Sequence, residues 1–169
     1  EIPKRDWSSD VCSSDLWLDR VKLGRTDISG SIQFPPGRPM AVELAGPLLD
    51  AGPKLAAKPP DAPDADGPPW TARARFQRVL LARGKEARGV EIDARHTGRV
   101  FGALSVRADA VGASRAALDI FGPPGQRRLT VAADDAGAFL QGIDLARTMD
   151  GGTLRVHGDR KSTRLNSSH

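Results

Sequence analysis

The chain of 169 residues is long enough for one domain with a real core, but only 39% of it is hydrophobic, 5% is aromatic and tyrosine is absent. A thick, aromatic-rich globule does not fit those values, and a thin, sheet-rich shape does. The formal charge of +4 suits anionic partners, phosphates and lipids alike, and no apolar run nears the roughly 20 residues that a membrane-spanning helix needs.

Serine clusters at the two ends, in "RDWSSDVCSSDL" and "RKSTRLNSSH", whereas the middle is built from Ala, Gly, Arg, Val, Asp and Pro. Both strings look like translated sequencing-adapter read-through, so residues 1–16 and 159–169 are set aside as tails. Cys12, the single cysteine, goes with the first. The remainder, residues 17–158, is then expected to be an internal fragment of a longer gene, with no thiol chemistry.

From residue 17 to 56 the period is mostly two, which marks a partial β unit. "DISGSIQF" places Ile28, Ile32 and Phe34 on one face, "MAVEL" does the same for Met40, Val42 and Leu44, and "PPGR" between them predicts a hairpin turn. A short helical turn is expected near 47–56. Prolines and acidic residues then make 57–69 a linker or long loop.

The second block, 70–158, opens with "WTARARF", in which Trp70, Ala72, Ala74 and Phe76 alternate with polar residues. The same alternation continues through Val90, Ile92 and Ala94, then Leu104, Val106 and Ala108, then Leu118 and Ile120, then Leu129 and Val131. Turn signals separate these short runs, which predicts a mainly β fold, an antiparallel meander with one apolar face. The period then changes. Ala136, Phe139, Leu140 and Ile143 recur at helical spacing, predicting a helix over 134–146 with Asp134 as its N-cap and Asp135 placed to favour the helix dipole. "TLRVHG" returns to period two with Leu154 and Val156.

Candidate chemistry is scarce in this pattern. Adjacent carboxylates at a helix start usually diverge, so Asp134 and Asp135 are read as a structural cap and not as a catalytic dyad. His96, His157 and His169 have no His or Cys neighbour at metal-ligand spacing. No serine sits in a nucleophile elbow, and "GPPGQ" precedes a strand instead of opening a helix, unlike a phosphate loop. The expectation is a non-enzymatic protein with no catalytic residue, metal or cofactor. Arginines in the strands are read as a solvated sheet face, since stacking aromatics are too few for nucleic acid. Scarce Phe and Trp also argue against an outer-membrane barrel, which needs aromatic girdles.

The stretch from "VEIDARHTGRVFGALSVRADA" to "RRLTVAADDAG", "AFLQGIDLA" and "DGGTLRVHG" resembles the AsmA-like carboxy-terminal region of YhdP-type envelope proteins of Gram-negative bacteria, and "AVELAGPLLDAGPKL" resembles the segment ahead of the linker in that family. The similarity covers about residues 24–158 and carries no catalytic signature. It implies a periplasmic, twisted, groove-like β-sheet whose apolar face carries phospholipid acyl chains between inner and outer membranes, attached to the inner membrane by a helix that this sequence lacks. Partners would be phospholipids and components of both membranes. The groove-lining candidates are Val90, Ile92, Leu104, Val106, Leu118, Ile120, Leu129 and Val131. Two alternatives stay open: a protein-binding scaffold that aids outer-membrane assembly through its sheet edges, and a sheet whose apolar face is simply covered by the helix and a neighbouring segment.

Overall fold

The computed structural model describes residues 15–56, 67–123, 126–146 and 148–161. The fold is mainly β, as the alternation predicts. Among the described residues, nine strands form one sheet in strict chain order: β1 (Leu16–Leu23), β2 (Thr26–Gln33), β3 (Met40–Asp50), β4 (Trp70–Leu80), β5 (Glu86–His96), β6 (Phe101–Val111), β7 (Ser114–Phe121), β8 (Gln126–Ala133) and β9 (Leu154–Lys161). The first and last strands do not pair with each other, so the sheet is open. Two short helices accompany it, α1 (Gly52–Ala56) and α2 (Ala136–Gly142), together with a 3₁₀ turn at Ala82–Gly84.

Seven of the eight strand pairings are antiparallel, but β3 and β4 run parallel, with Met40 opposite Trp70 and Asp50 opposite Leu80. This corrects the expectation of a purely antiparallel meander. A parallel pair needs a crossover of a dozen or more residues to carry the chain back along the sheet. The stretch from Ala51 to Pro69 performs that return, so the Pro/Asp-rich linker lies between two neighbouring strands of one sheet. Residues 57–66 of it lie outside the described residues. At its exit, Pro69 O accepts a hydrogen bond from Met40 N at 3.1 Å, which sets the register of the parallel pair.

Several predicted boundaries move. The helical turn expected near 47–56 is confined to Gly52–Ala56, because β3 stays extended through Asp50. β1 starts at Leu16, opposite Ile32, and β9 continues past residue 158 until Lys161 pairs with Gln126, so pairing enters both strings read as tails. Residues 1–14 and 162–169 lie outside the described residues. Nearly all of β1 falls within the β unit expected over 17–56, although the alternation does not single it out, because a bulge between Leu18 and Val21 interrupts it.

The core sits at one end of one face. Phe76, Val79, Ala87, Val90, Ala108 and Val111 are buried there, with Phe139 of α2, Leu81 beside the 3₁₀ turn and Ala51 packed against them. The helix can lie this close because two glycines face each other. A Cβ at Gly142 would stand 2.7 Å from Gly112 N, and one at Gly112 would stand 2.5 Å from Ala138 O. Gly112 also turns the chain between β6 and β7 with φ of 63°, a conformation that suits glycine.

Candidate functional site

Directly opposed residues of a β-ladder share a face, so the register sorts every strand residue. One row runs Leu16, Ile32, Val42, Ala72, Ala94, Leu104, Ile120, Leu129, Gly158 across all nine strands. A second runs Leu18, Gly30, Leu44, Ala74, Ile92, Val106, Leu118, Val131, Val156. A third joins Phe76, Val90, Ala108, Ala116, Ala133 and Leu154. All eight candidate lining residues therefore lie on one apolar face, as their spacing of two demands.

Their surroundings differ along that face. Val90 is buried, and so belongs to the packed core instead of an accessible lining. Ile92 and Val106 are half-buried against that core. Leu104, Leu118, Ile120, Leu129 and Val131 are half-buried and lie outside the core cluster, toward the end of the sheet away from α2. Farther out, Trp70 stacks on His96 with ring centroids 5.1 Å apart and planes 11° from parallel, and Phe101 meets both rings edge-on at 5.8 and 5.2 Å. His96 is held in place by Gly98 N, which donates to its Nδ1 at 3.1 Å. Aromatic pairs in these geometries gain a little beyond their buried area, which fixes the outer margin of the apolar face.

The opposite face is polar and charge-balanced. Arg73 pairs with Asp93 at 3.2 Å, Arg75 with Glu91 at 3.2 Å and Arg107 with Asp119 at 3.0 Å. The first two pairs are well exposed and so contribute little to stability. A trench of about 680 Å³ crosses this face between the Ser31, Glu43, Arg73, Asp93 row and the Ser29, Ala45, Arg75, Glu91 row. Gly30, Leu44 and Ala74 lie on its floor, the last two with their side chains on the apolar side. Arg75 and Glu91, and Arg73 and Asp93, pair along its walls, and Glu43 and Asp19 also line it.

At the edge of the sheet, Arg20 holds Asp27 by two hydrogen bonds of 2.9 and 2.6 Å. That donation holds the Asp27 carboxyl below its ordinary value and the Arg20 guanidinium above its own, in each case through the hydrogen bond first. Both groups belong to the β1–β2 hairpin and neither faces a cavity with a nucleophile. Among the described residues, no three His, Cys, Asp or Glu side chains gather at metal-binding distance. His157 Nδ1 lies 3.4 Å from Thr130 Oγ1, its partner across the β8–β9 ladder. His169 lies outside the described residues.

The helix cap is Asp135, one residue later than predicted. Its Oδ1 accepts from Ala138 N at 2.9 Å, and its own N donates to Ser114 Oγ at 2.9 Å. Asp134 is exposed, and its N donates to Arg115 O at 3.2 Å, prolonging the β7–β8 ladder by one residue. The strand thus claims Asp134 and the helix starts only at Ala136. The helix also ends early, at Gly142, because Asp144 turns left-handed with φ of 60° and Leu145 N folds back on Leu140 O at 2.8 Å. Ile143, expected on the packed face, is 39% exposed. Its neighbour Asp144 is held by Arg83 at 2.7 Å.

Arg127 was missed by the sequence reading. It stands one step of two before Leu129 and Val131, so the alternation that singled out those two also puts Arg127 on the apolar face. Among the described residues no helix is long and apolar enough to cross a membrane. The chain matches no family model, no curated protein and no solved structure.

Proposed function

We propose that this chain is a non-catalytic stretch of an envelope protein whose apolar β-face carries phospholipid acyl chains through the periplasm, between inner and outer membranes. The observation that supports this most is the apolar face itself. Two rows of apolar or glycine positions cross all nine strands without a charge, while only one end of them is packed under α2. A closed globule would cover such a surface, because leaving it wet forfeits about 25 cal/mol per Å². An acyl chain lying over the half-buried residues would recover that free energy without any bond chemistry, and head groups would stay hydrated at the margin. The resemblance to the AsmA-like region points to the same role.

A charge placed on this face tests the reading. Lipid that co-purifies with the full protein is measured by native mass spectrometry in the parent, in Ile120→Asp, which lies outside the core cluster, and in Arg155→Asp. Arg155 lies on the polar face opposite Ala132 and is exposed. It is a better control than Arg107, whose loss would strand Asp119. Phospholipid is expected in the parent and the control and lost in Ile120→Asp, since hydrocarbon cannot solvate a carboxylate. A folded parent without lipid, or equal loss in both variants, would instead favour a scaffold that binds protein. That second reading draws on the sheet edges, where β1 has one strand neighbour among the described residues and exposes Leu16, Trp17 and Leu23, the kind of edge that recruits another strand.

A further inference from the structure

The apolar rows are uncharged, and the next position outward on their face of β8 is Arg127, which the register sets opposite Arg160 of β9. Arg127 begins the series Arg127, Leu129, Val131, Ala133 on one face of β8. Its Nε is buried and has no hydrogen-bond partner. The polar-face arginines Arg73, Arg75 and Arg107 contrast with it, each facing a carboxylate. A guanidinium stays charged at any physiological pH and presents its donors as a planar fork suited to phosphate or carboxylate oxygens. Leaving such a donor buried and unpaired is costly, so the position favours a ligand that brings anionic oxygens.

The other end of the same series shows what must accompany that anion. Ala133, six residues further along β8, is buried where the chain turns into α2. That is a run of ~20 Å at the usual rise of a strand. The face thus offers a cation, then an uncharged track of Leu129 and Val131, then a helix that closes it. We propose that Arg127 binds the phosphate head group of a lipid whose hydrocarbon chain lies over Leu129 and Val131 and points toward α2. The assignment rests on the lipid-carrier reading and adds to it a head-group anchor and an orientation.

Isothermal titration of the full chain with dodecyl phosphate, dodecyl maltoside and inorganic phosphate, all below micelle formation, separates the outcomes. Dodecyl phosphate should bind, and Arg127→Gln should weaken it about tenfold or more, as expected for loss of a charge-assisted hydrogen bond. Arg155→Gln removes the same charge from the polar face and should leave binding unchanged. Dodecyl maltoside should bind all three proteins alike. Unaltered dodecyl phosphate affinity in a folded Arg127→Gln variant, or equal losses in both variants, overturns the anchor while the carrier reading stands. Inorganic phosphate binding as tightly as dodecyl phosphate would make this a free-anion site and overturn the lipid assignment. If neither dodecyl compound binds, the carrier reading falls and the anchor with it. Should Arg127→Gln fail to fold, phenylglyoxal modification of the unmutated chain gives the answer: dodecyl phosphate should protect Arg127 and dodecyl maltoside should not, and equal labelling would refute the proposal.

Discussion

The two ends of the apolar face are built from the same alternation and have opposite fates. Toward α2, Phe76, Val79, Val90 and Val111 are buried in a packed cluster; toward the Trp70–His96 stack, Leu104, Ile120 and Leu129 stay half-buried. Side-chain type does not separate them, since both ends are aliphatic with an occasional aromatic ring. What separates them is what is seated on them: Phe139 of the seven-residue α2, whose Gly142 meets Gly112 at the β6–β7 turn, together with Leu81 and Ala51. The lesson is that one sheet face can hold a stabilising core and an accessible apolar surface at once. A sequence pattern alone presents these as rival readings. Here they are neighbours on the same strands.

Side-chain truncation should separate the two ends by the largest margin. Phe76→Ala should destabilise the fold by about 3–5 kcal/mol, because it leaves a cavity in a packed site. Ile120→Ala, at the open end, should cost only about 1 kcal/mol, for the part of its side chain that is out of water. Urea denaturation of both variants checks this, and equal losses would mean that the open end is as tightly packed as the covered one.

A smaller effect sharpens the account of the helix that makes the difference. Asp135→Ala should cost about 1 kcal/mol through the lost bond to Ala138 N, whereas Asp134→Ala should stay within about 0.5 kcal/mol, as exposed substitutions do. Thermal unfolding of the pair distinguishes them. The reverse order would return the cap to Asp134 and lengthen the helix.

The smallest effect concerns acid and the edge of the sheet. The Asp27 carboxyl is held below its ordinary value of 3.8 by Arg20, so its contribution is fully present above that value and fades as pH falls through the lowered one. Acidification below about pH 4 should therefore lower the amide protection factors of β1 and β2 in the parent, more than in Asp27→Asn, while the Phe76 end keeps its protection until global unfolding. Identical acid profiles for the parent and Asp27→Asn would remove the ion pair from the account.

Much of the architecture is legible in the sequence because alternation is local. A side chain's face is set by the pleat of its own strand, so Val90, Ile92, Leu104, Val106, Leu118, Ile120, Leu129 and Val131 could be placed together without knowing which strands pair. The same rule, carried one step back from Leu129, would also have placed Arg127 among them. Helix spacing located α2 for the same reason. Non-local pairing decided the rest. Asp134 satisfies every local preference for an N-cap, but the carbonyl of Arg115 on β7 draws its backbone into the ladder and Ser114 receives the next amide, moving the cap to Asp135. The parallel register of β3 and β4 depends on how the chain returns between Asp50 and Trp70, which the period of two does not record. Above all, whether an apolar position becomes core or open surface depends on what is seated on it. Val90 and Leu129 read alike as letters, and only the packing of α2, the 3₁₀ turn and the neighbouring strands buries the first and leaves the second half exposed to water.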